Sequence, residues 1–151
     1  MRSALVRTTL VLIFLALGGS CADLPISSTP KHVDRGEVTT TSGVRYEDTF
    51  LGIGPAATVG DEVMFEYTVW LESGVRVDST ADRGYPVKVV LGSAQLKGWN
   101  DGLLGIQTQG DRRLIVPPEL AYGAEGLPGM IPPNSVLIFE VHALAVARPK
   151  K

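Results

Sequence analysis

The chain has 151 residues, 44% of them hydrophobic, with 14 basic against 16 acidic side chains and one cysteine. That length suits one domain with one sizeable core. A net charge of -2 excludes the basic face that a nucleic-acid binder needs, and a single cysteine excludes an intramolecular disulfide. Arg2 and Arg7 flank an apolar run, Leu10 to Leu17, which leads into Gly18-Gly19-Ser20-Cys21. The run is too short for the ~20 apolar residues of a membrane span. A positive start, a short greasy stretch and small residues instead predict a signal peptide over 1–20.

Cys21 stands where that signal ends, and its position resembles the lipobox of bacterial lipoproteins, in which the cysteine is lipidated. Gly19 and Ser20 suit the two preceding positions, but Gly18 stands where leucine is usual and Leu17 falls one place early. Ser20-Cys21-Ala22 would also serve as an ordinary signal-peptidase site. The expectation is a lipid anchor at Cys21 that holds the protein on a membrane of the bacterial envelope, facing the periplasm. Residues 21–42 are rich in Pro, Ser, Thr and charge and show neither apolar period. A flexible tether is expected there.

Beyond the tether the pattern is mostly β. In Val63-Met-Phe-Glu-Tyr-Thr-Val-Trp-Leu71 the odd positions make an unbroken apolar face at period two. Glu72-Ser73-Gly74 reads as a turn into Val75–Asp78, and Pro86–Leu91 as a further strand. Trp99, Leu103 and Ile106 recur at the helical period within Gly98–Ile106. Gly102 and Gly105 weaken that helix, so packing must hold it. Arg112–Val116 is a strand stopped by Pro117-Pro118, and a long last strand runs from Val136 to about Val146. The expected fold class is α+β: an antiparallel sheet of five to six strands wrapped over one short helix.

Nucleophilic, metal and nucleotide chemistry find little support. Of two histidines, His32 lies in the tether and His142 alternates with the Phe139–Val141 face as a surface strand residue. No GxSxG, HExxH or phosphate-cradling loop occurs, so no metal and no cofactor is expected. What remains is a dispersed set: Tyr67, Val77-Asp78, Arg83, Trp99, Tyr122, Ile131 and Phe139. Read on their own, these residues equally suit the core of a small β domain, with Asp78 and Arg83 as a structural ion pair. They bracket Ala121-Tyr-Gly-Ala-Glu-Gly-Leu-Pro-Gly-Met-Ile-Pro-Pro-Asn-Ser135. That stretch is too rich in Gly and Pro for regular structure, and too apolar for an ordinary solvated loop.

Gly74-Val-Arg-Val-Asp-Ser-Thr80, Gly98-Trp99, Gly102, the Ala121–Ser135 stretch and Leu137-Ile-Phe139 together resemble the FKBP-type peptidyl-prolyl cis-trans isomerases. The resemblance runs from about Gly43 to Ala147, in the family's order and spacing, and sets off 43–147 as the isomerase domain and 148–151 as a tail. It implies a twisted sheet around one helix, with an apolar pocket between them and no cofactor. By matched position, Trp99 is the pocket floor, Tyr67 and Phe139 are walls, and Asp78 sits near the twisting carbonyl, held by Tyr67 and Arg83. The Tyr122 hydroxyl and the Ile131 N–H are the implied donors to substrate carbonyls. Gln95 and Leu96 fall at the pocket edge ahead of the helix. Val77 and Val87 stand where the family usually has Phe, and Leu127 where animal members often have His. These changes imply a wider, shallower pocket and weak binding of the family's macrolide inhibitors. The implied partners are proline-containing segments of exported proteins, met by a monomer, because the long helical extension of dimeric bacterial members is replaced by a short tether. Two alternatives to catalysis stand beside this reading. One is a binding module or chaperone that grips such segments without speeding rotation, and the other is an envelope protein using the fold as scaffold.

Overall fold

The computed structural model describes Lys31–His32 and residues 36–149. The expected signal peptide and Cys21 lie outside the described residues. An antiparallel sheet organises the rest. Its strands are β1 (Lys31–His32), β2 (Val38–Thr39), β3 (Arg45–Leu51), β4 (Glu62–Leu71), β5 (Arg76–Ser79), β6 (Val87–Val90), β7 (Asp111–Val116) and β8 (Leu137–Ala147). They lie in the order β1-β3-β7-β8-β4-β5, with β2 beside β3 and β6 beside β4. The fold is the α+β arrangement expected, with eight strands in place of five or six. The two additional short strands fall in the stretch expected to be a flexible tether, which is a correction. Lys31–His32 pairs with Phe50–Leu51 and Val38–Thr39 with Arg45–Tyr46. Backbone pairing at a sheet edge needs no apolar period, and Val38 and Thr39 are both exposed.

β4 and β8 form the longest ladder, from Glu62↔Ala147 to Leu71↔Leu137. Alternation turns Val63, Phe65, Tyr67 and Val69 inward from β4, Phe139 and Val141 from β8, and Leu114 and Val116 from β7. All are buried in one core. β3 escaped the sequence reading because Arg45-Tyr-Glu-Asp-Thr-Phe-Leu51 does not alternate, and most of its residues are half-buried.

Across the inner face lies α2 (Lys97–Gly102), shorter than the period of Trp99, Leu103 and Ile106 suggested. The chain leaves the helix after Gly102 and turns at Gly105 (φ +78°), whose N–H donates to the Ala57 carbonyl at 2.8 Å. Leu103 and Ile106 still enter the core. The glycines of α2 allow its close approach to β7. A Cβ on Gly98 would stand 2.4 Å from Val116 Cγ1, and one on Gly102 3.1 Å from Leu114 Cδ2. A second helical turn, α1 (Thr80–Arg83), was not anticipated. Ser79 caps it by accepting the Ala81 N–H at 3.3 Å, and it ends at Gly84 (φ +75°).

Candidate active site

The inward positions of β4 and β8 and the first turn of α2 bring four aromatic rings together. Trp99 meets Phe65 edge-on with centroids 5.3 Å apart, and Phe139 at 5.8 Å. Tyr67 lies 5.7 Å from both Trp99 and Phe139. These spacings and tilted geometries are those aromatic pairs prefer. Phe65, which the sequence reading left in the strand core, therefore belongs to this cluster. Its inward parity with Tyr67 was the available signal.

Asp78 lies one residue before the end of β5, beside the cluster. Its Oδ2 accepts the Tyr67 hydroxyl at 2.8 Å and meets the Arg83 guanidinium, while its Oδ1 accepts the Ser79 N–H at 2.8 Å. The helical turn α1 makes this possible, because it carries Arg83 back over a residue five places earlier. Burial first, and then the hydrogen bond to Asp78, push the Tyr67 phenol above its ordinary pKa, so the group stays a donor. The Arg83 guanidinium is raised as well, chiefly through Tyr67. The sequence thus supplies an anion held by three donors, two of them side chains, next to an apolar cage.

The loop from Ala121 to Ser135 has a definite structure. Leu127-Pro-Gly-Met130 has the pattern of a type II turn, with proline second and Gly129 third at φ +81°. The Met130 N–H closes the turn on the Leu127 carbonyl at 2.9 Å. Leu127 and Ile131 then exchange both backbone hydrogen bonds at 2.8 Å, and Asn134 (φ +55°) donates to the Gly123 carbonyl at 2.9 Å. Ile131 is only 6% exposed, whereas Tyr122 is 42% exposed and its hydroxyl has no hydrogen-bond partner among the described residues. Tyr122 is near enough to Tyr67 to act on its charge.

One expected role is corrected here. The Ile131 N–H donates to Leu127, so it is not a free donor for a substrate carbonyl; Ile131 contributes its buried side chain instead. Leu96 precedes α2, where backbone N–H groups lack intrahelical partners, and no acceptor reaches its N–H among the described residues. Leu96 is itself buried, and its carbonyl accepts the Trp99 N–H at 3.0 Å. Val77, Val87 and Leu127 pack half-buried against the same core, and Gln95 is exposed. Separately, a groove of about 460 Å³ crosses the outer sheet face, lined in part by Glu66, Asp111, Arg113, Glu140 and His142. By alternation these charged side chains point away from the aromatic cage. His142 pairs with Asp111 there, as a surface strand residue.

Residues 54–144 match the pattern of FKBP-type peptidyl-prolyl cis-trans isomerases. The chain belongs to that family. The isomerase is 45% identical over 105 residues to the FK506-binding protein of Neisseria meningitidis serogroup B, a match covering 69% of this chain and 96% of that one. Among solved structures it is similar to FkpA from Escherichia coli, with 38% identity and a TM-score of 0.68 over 76% of this chain and 53% of that one. It also superposes on AtFKBP13 with a TM-score of 0.67 and 35% identity, over 74% of the isomerase and 99% of that chain. The matched residues 54–144 include β4 to β7, most of β8, the helix α2 and the loop, the parts that meet at the aromatic cage.

Proposed function

We propose that this isomerase acts at the bacterial cell envelope on exported polypeptides, whose folding waits on X–Pro rotation over tens to hundreds of seconds. The observation that carries the reading is the cage of Tyr67, Trp99 and Phe139 with Asp78 held at its edge by Tyr67 and Arg83. Rotation breaks no covalent bond but crosses a barrier of about 18–20 kcal/mol set by amide resonance. A twisted amide has lost conjugation and is no longer a planar dipole. A dry aromatic cage disfavours the planar state relative to the twisted one. The proline ring lies on Trp99 between the Tyr67 and Phe139 walls, while the Tyr122 hydroxyl and the Leu96 N–H hold the substrate carbonyls. No group gains or loses a proton. Asp78 stays next to the carbonyl as its orientation changes, fixed by the Tyr67, Arg83 and Ser79 donors so that it does not swing away.

The Arg2–Leu17 pattern and Cys21 support export and lipid anchoring. The pocket also takes FK506-like macrolides, weakly, because Val77 and Val87 stand where the family has aromatic wall. Peptide isomerisation by the chain from Ala22 onward tests the activity: exchange at the uncatalysed rate defeats it. Mass spectrometry of the mature N-terminus tests the anchor, with a lipid on Cys21 expected and a free N-terminus at Asp23 refuting it. A second reading rests on the same two valines: a module that grips proline-containing segments without accelerating them. Peptide binding with no rate gain would select it.

A further inference from the structure

Helix α2 carries the pocket floor, yet little in its own sequence holds it. It has six residues, two of them glycine; Leu96 offers no side-chain cap, and no basic residue stands in its last turn. The Trp99 indole is equally unanchored by polar bonds. Its Nε1 is buried and has no hydrogen-bond partner among the described residues. The pose of that ring is therefore set by ring packing and by wherever the helix backbone puts it.

The group that fixes the helix comes from the sheet. Arg112 on β7 is paired with Val141, whose other neighbour is Tyr67, so all three share one inward row. It is 3% exposed. Its Nη1 donates to the Gly102 carbonyl at 2.8 Å and to the Leu104 carbonyl at 2.6 Å, which lie at and just past the C-terminus of α2. This cation meets carbonyls that the helix leaves unpaired, at the negative end of its dipole. The guanidinium is itself held. Asp48 on β3 accepts Nε at 2.5 Å and Nη2 at 3.1 Å, and the Tyr46 ring lies 4.1 Å below Cζ. A planar, forked group is needed for all of these contacts at once.

We infer that Arg112 is a positioning residue of the isomerase: clamped by Asp48 and Tyr46, it fixes the C-terminus of α2 and through it the pose of the Trp99 indole. Arg112 touches no substrate, and the inference rests on the isomerase reading of the cage. Small displacements of a positioned group are costly in rate, so a helix held at its end by one side chain makes that side chain matter to turnover as well as to stability.

The test uses the full chain with Trp70→Phe, which leaves Trp99 the sole reporter of the two tryptophans. Arg112→Met, Arg112→Lys and Asp48→Asn are compared at a temperature where far-UV circular dichroism shows each folded. Trp99 emission and its quenching by acrylamide are recorded beside kcat/KM on a Leu-Pro tetrapeptide. Arg112→Met is expected to lose about tenfold or more in kcat/KM, following the cost of a misplaced group, and to shift Trp99 emission. Arg112→Lys recovers part of both, and Asp48→Asn moves both in the same direction by less. Wild-type kcat/KM and unshifted emission in folded Arg112→Met, with only a lower Tm, overturn the inference. Where Arg112→Met does not fold, the same result in Asp48→Asn overturns it. If the Trp70→Phe parent gives no rate above the uncatalysed one, the isomerase reading fails on its own. Trp99 emission then decides the positioning role.

Discussion

The Tyr67 hydroxyl donates to the Asp78 carboxylate across 2.8 Å, and Arg83 closes on the same oxygen. The wall of the cage and the anion at its edge are thus one unit. Tyr67→Phe keeps the ring and removes only that bond. A net loss of about 1 kcal/mol in stability is expected for one hydrogen bond, with a fall in kcat/KM as Asp78 gains freedom. The pH dependence has a definite sign. The phenol is raised above its ordinary 10.0 in the folded state. Its contribution to stability is therefore complete below pH 10 and is lost as the pH climbs from there toward the folded value. In an ultraviolet titration of the four tyrosines, Tyr67 should ionise last. The variant should lose that late phase along with the alkaline loss of stability attached to it. A Tyr67 that ionises with the others would show that neither the burial of its phenol nor its bond to Asp78 survives in solution.

Val77 decides between catalysis and mere capture. It packs half-buried against the core, at a position where the family resemblance implies an aromatic wall. One aromatic contact adds about 0.5–1.5 kcal/mol beyond area burial. Val77→Phe should therefore raise kcat roughly fivefold if the ring contacts the proline amide only when it is twisted, since each 1.36 kcal/mol is tenfold. Equal tightening of substrate and transition state would show instead as stronger peptide binding with an unchanged kcat. A flat rate together with flat binding would mean that this wall is not part of the pocket.

The particular residues show what a sequence discloses and what it does not. Tyr67 and Phe139 were legible as inward strand residues through period-two alternation, and Trp99, Asp78 and Arg83 as site residues through the resemblance to the isomerase family; the structure brings all five together. Ile131 was misread as a donor because a backbone N–H has no signature of its own. Only the pairing with Leu127 reveals that it is already used. β3 was invisible for a related reason. Strand pairing is made by backbone, and Arg45–Leu51 has no apolar rhythm to betray it. Arg112 was legible as a strand residue but not as a clamp. A buried guanidinium reads as a surface charge until its partners converge from two segments, Asp48 from β3 and the Gly102 and Leu104 carbonyls from the end of α2.

The C-terminal end of the sheet carries an acid-sensitive tie. Asp61 is buried and accepts the Thr58 N–H and hydroxyl, both at 2.9 Å, and Arg148 Nε and Nη2 at 3.1 and 3.2 Å. The Arg148 bonds first, and then the Thr58 N–H, lower its pKa from 3.8 to about 2. A carboxylate lowered in the folded state adds stability that is complete above its unfolded value. That stability is lost as the pH falls toward 2. Denaturation midpoints between pH 5 and 2 should therefore drop, and Arg148→Ala should flatten that drop. An Arg148→Ala curve parallel to the parent's would place the acid sensitivity elsewhere.

Two glycines of the rim loop separate backbone strain from steric closure. Gly129 and Gly126 both sit at left-handed φ, +81° and +64°. A Cβ on Gly129 meets nothing within 4 Å, whereas one on Gly126 would lie 2.3 Å from the Ile131 carbonyl oxygen and 2.8 Å from the Pro132 carbonyl carbon. Gly129→Ala carries only the strain of a left-handed non-glycine residue, about 1–2 kcal/mol, and should keep most of its activity. Gly126→Ala adds a backbone collision that only a shift of Ile131 relieves. That shift breaks the paired bonds with Leu127 and withdraws the Ile131 side chain from the pocket. Gly126→Ala should therefore lose activity more steeply than stability when kcat/KM and Tm are measured side by side. Equal losses in the two variants would mean that the Leu127–Ile131 bridge is not what shapes the pocket rim.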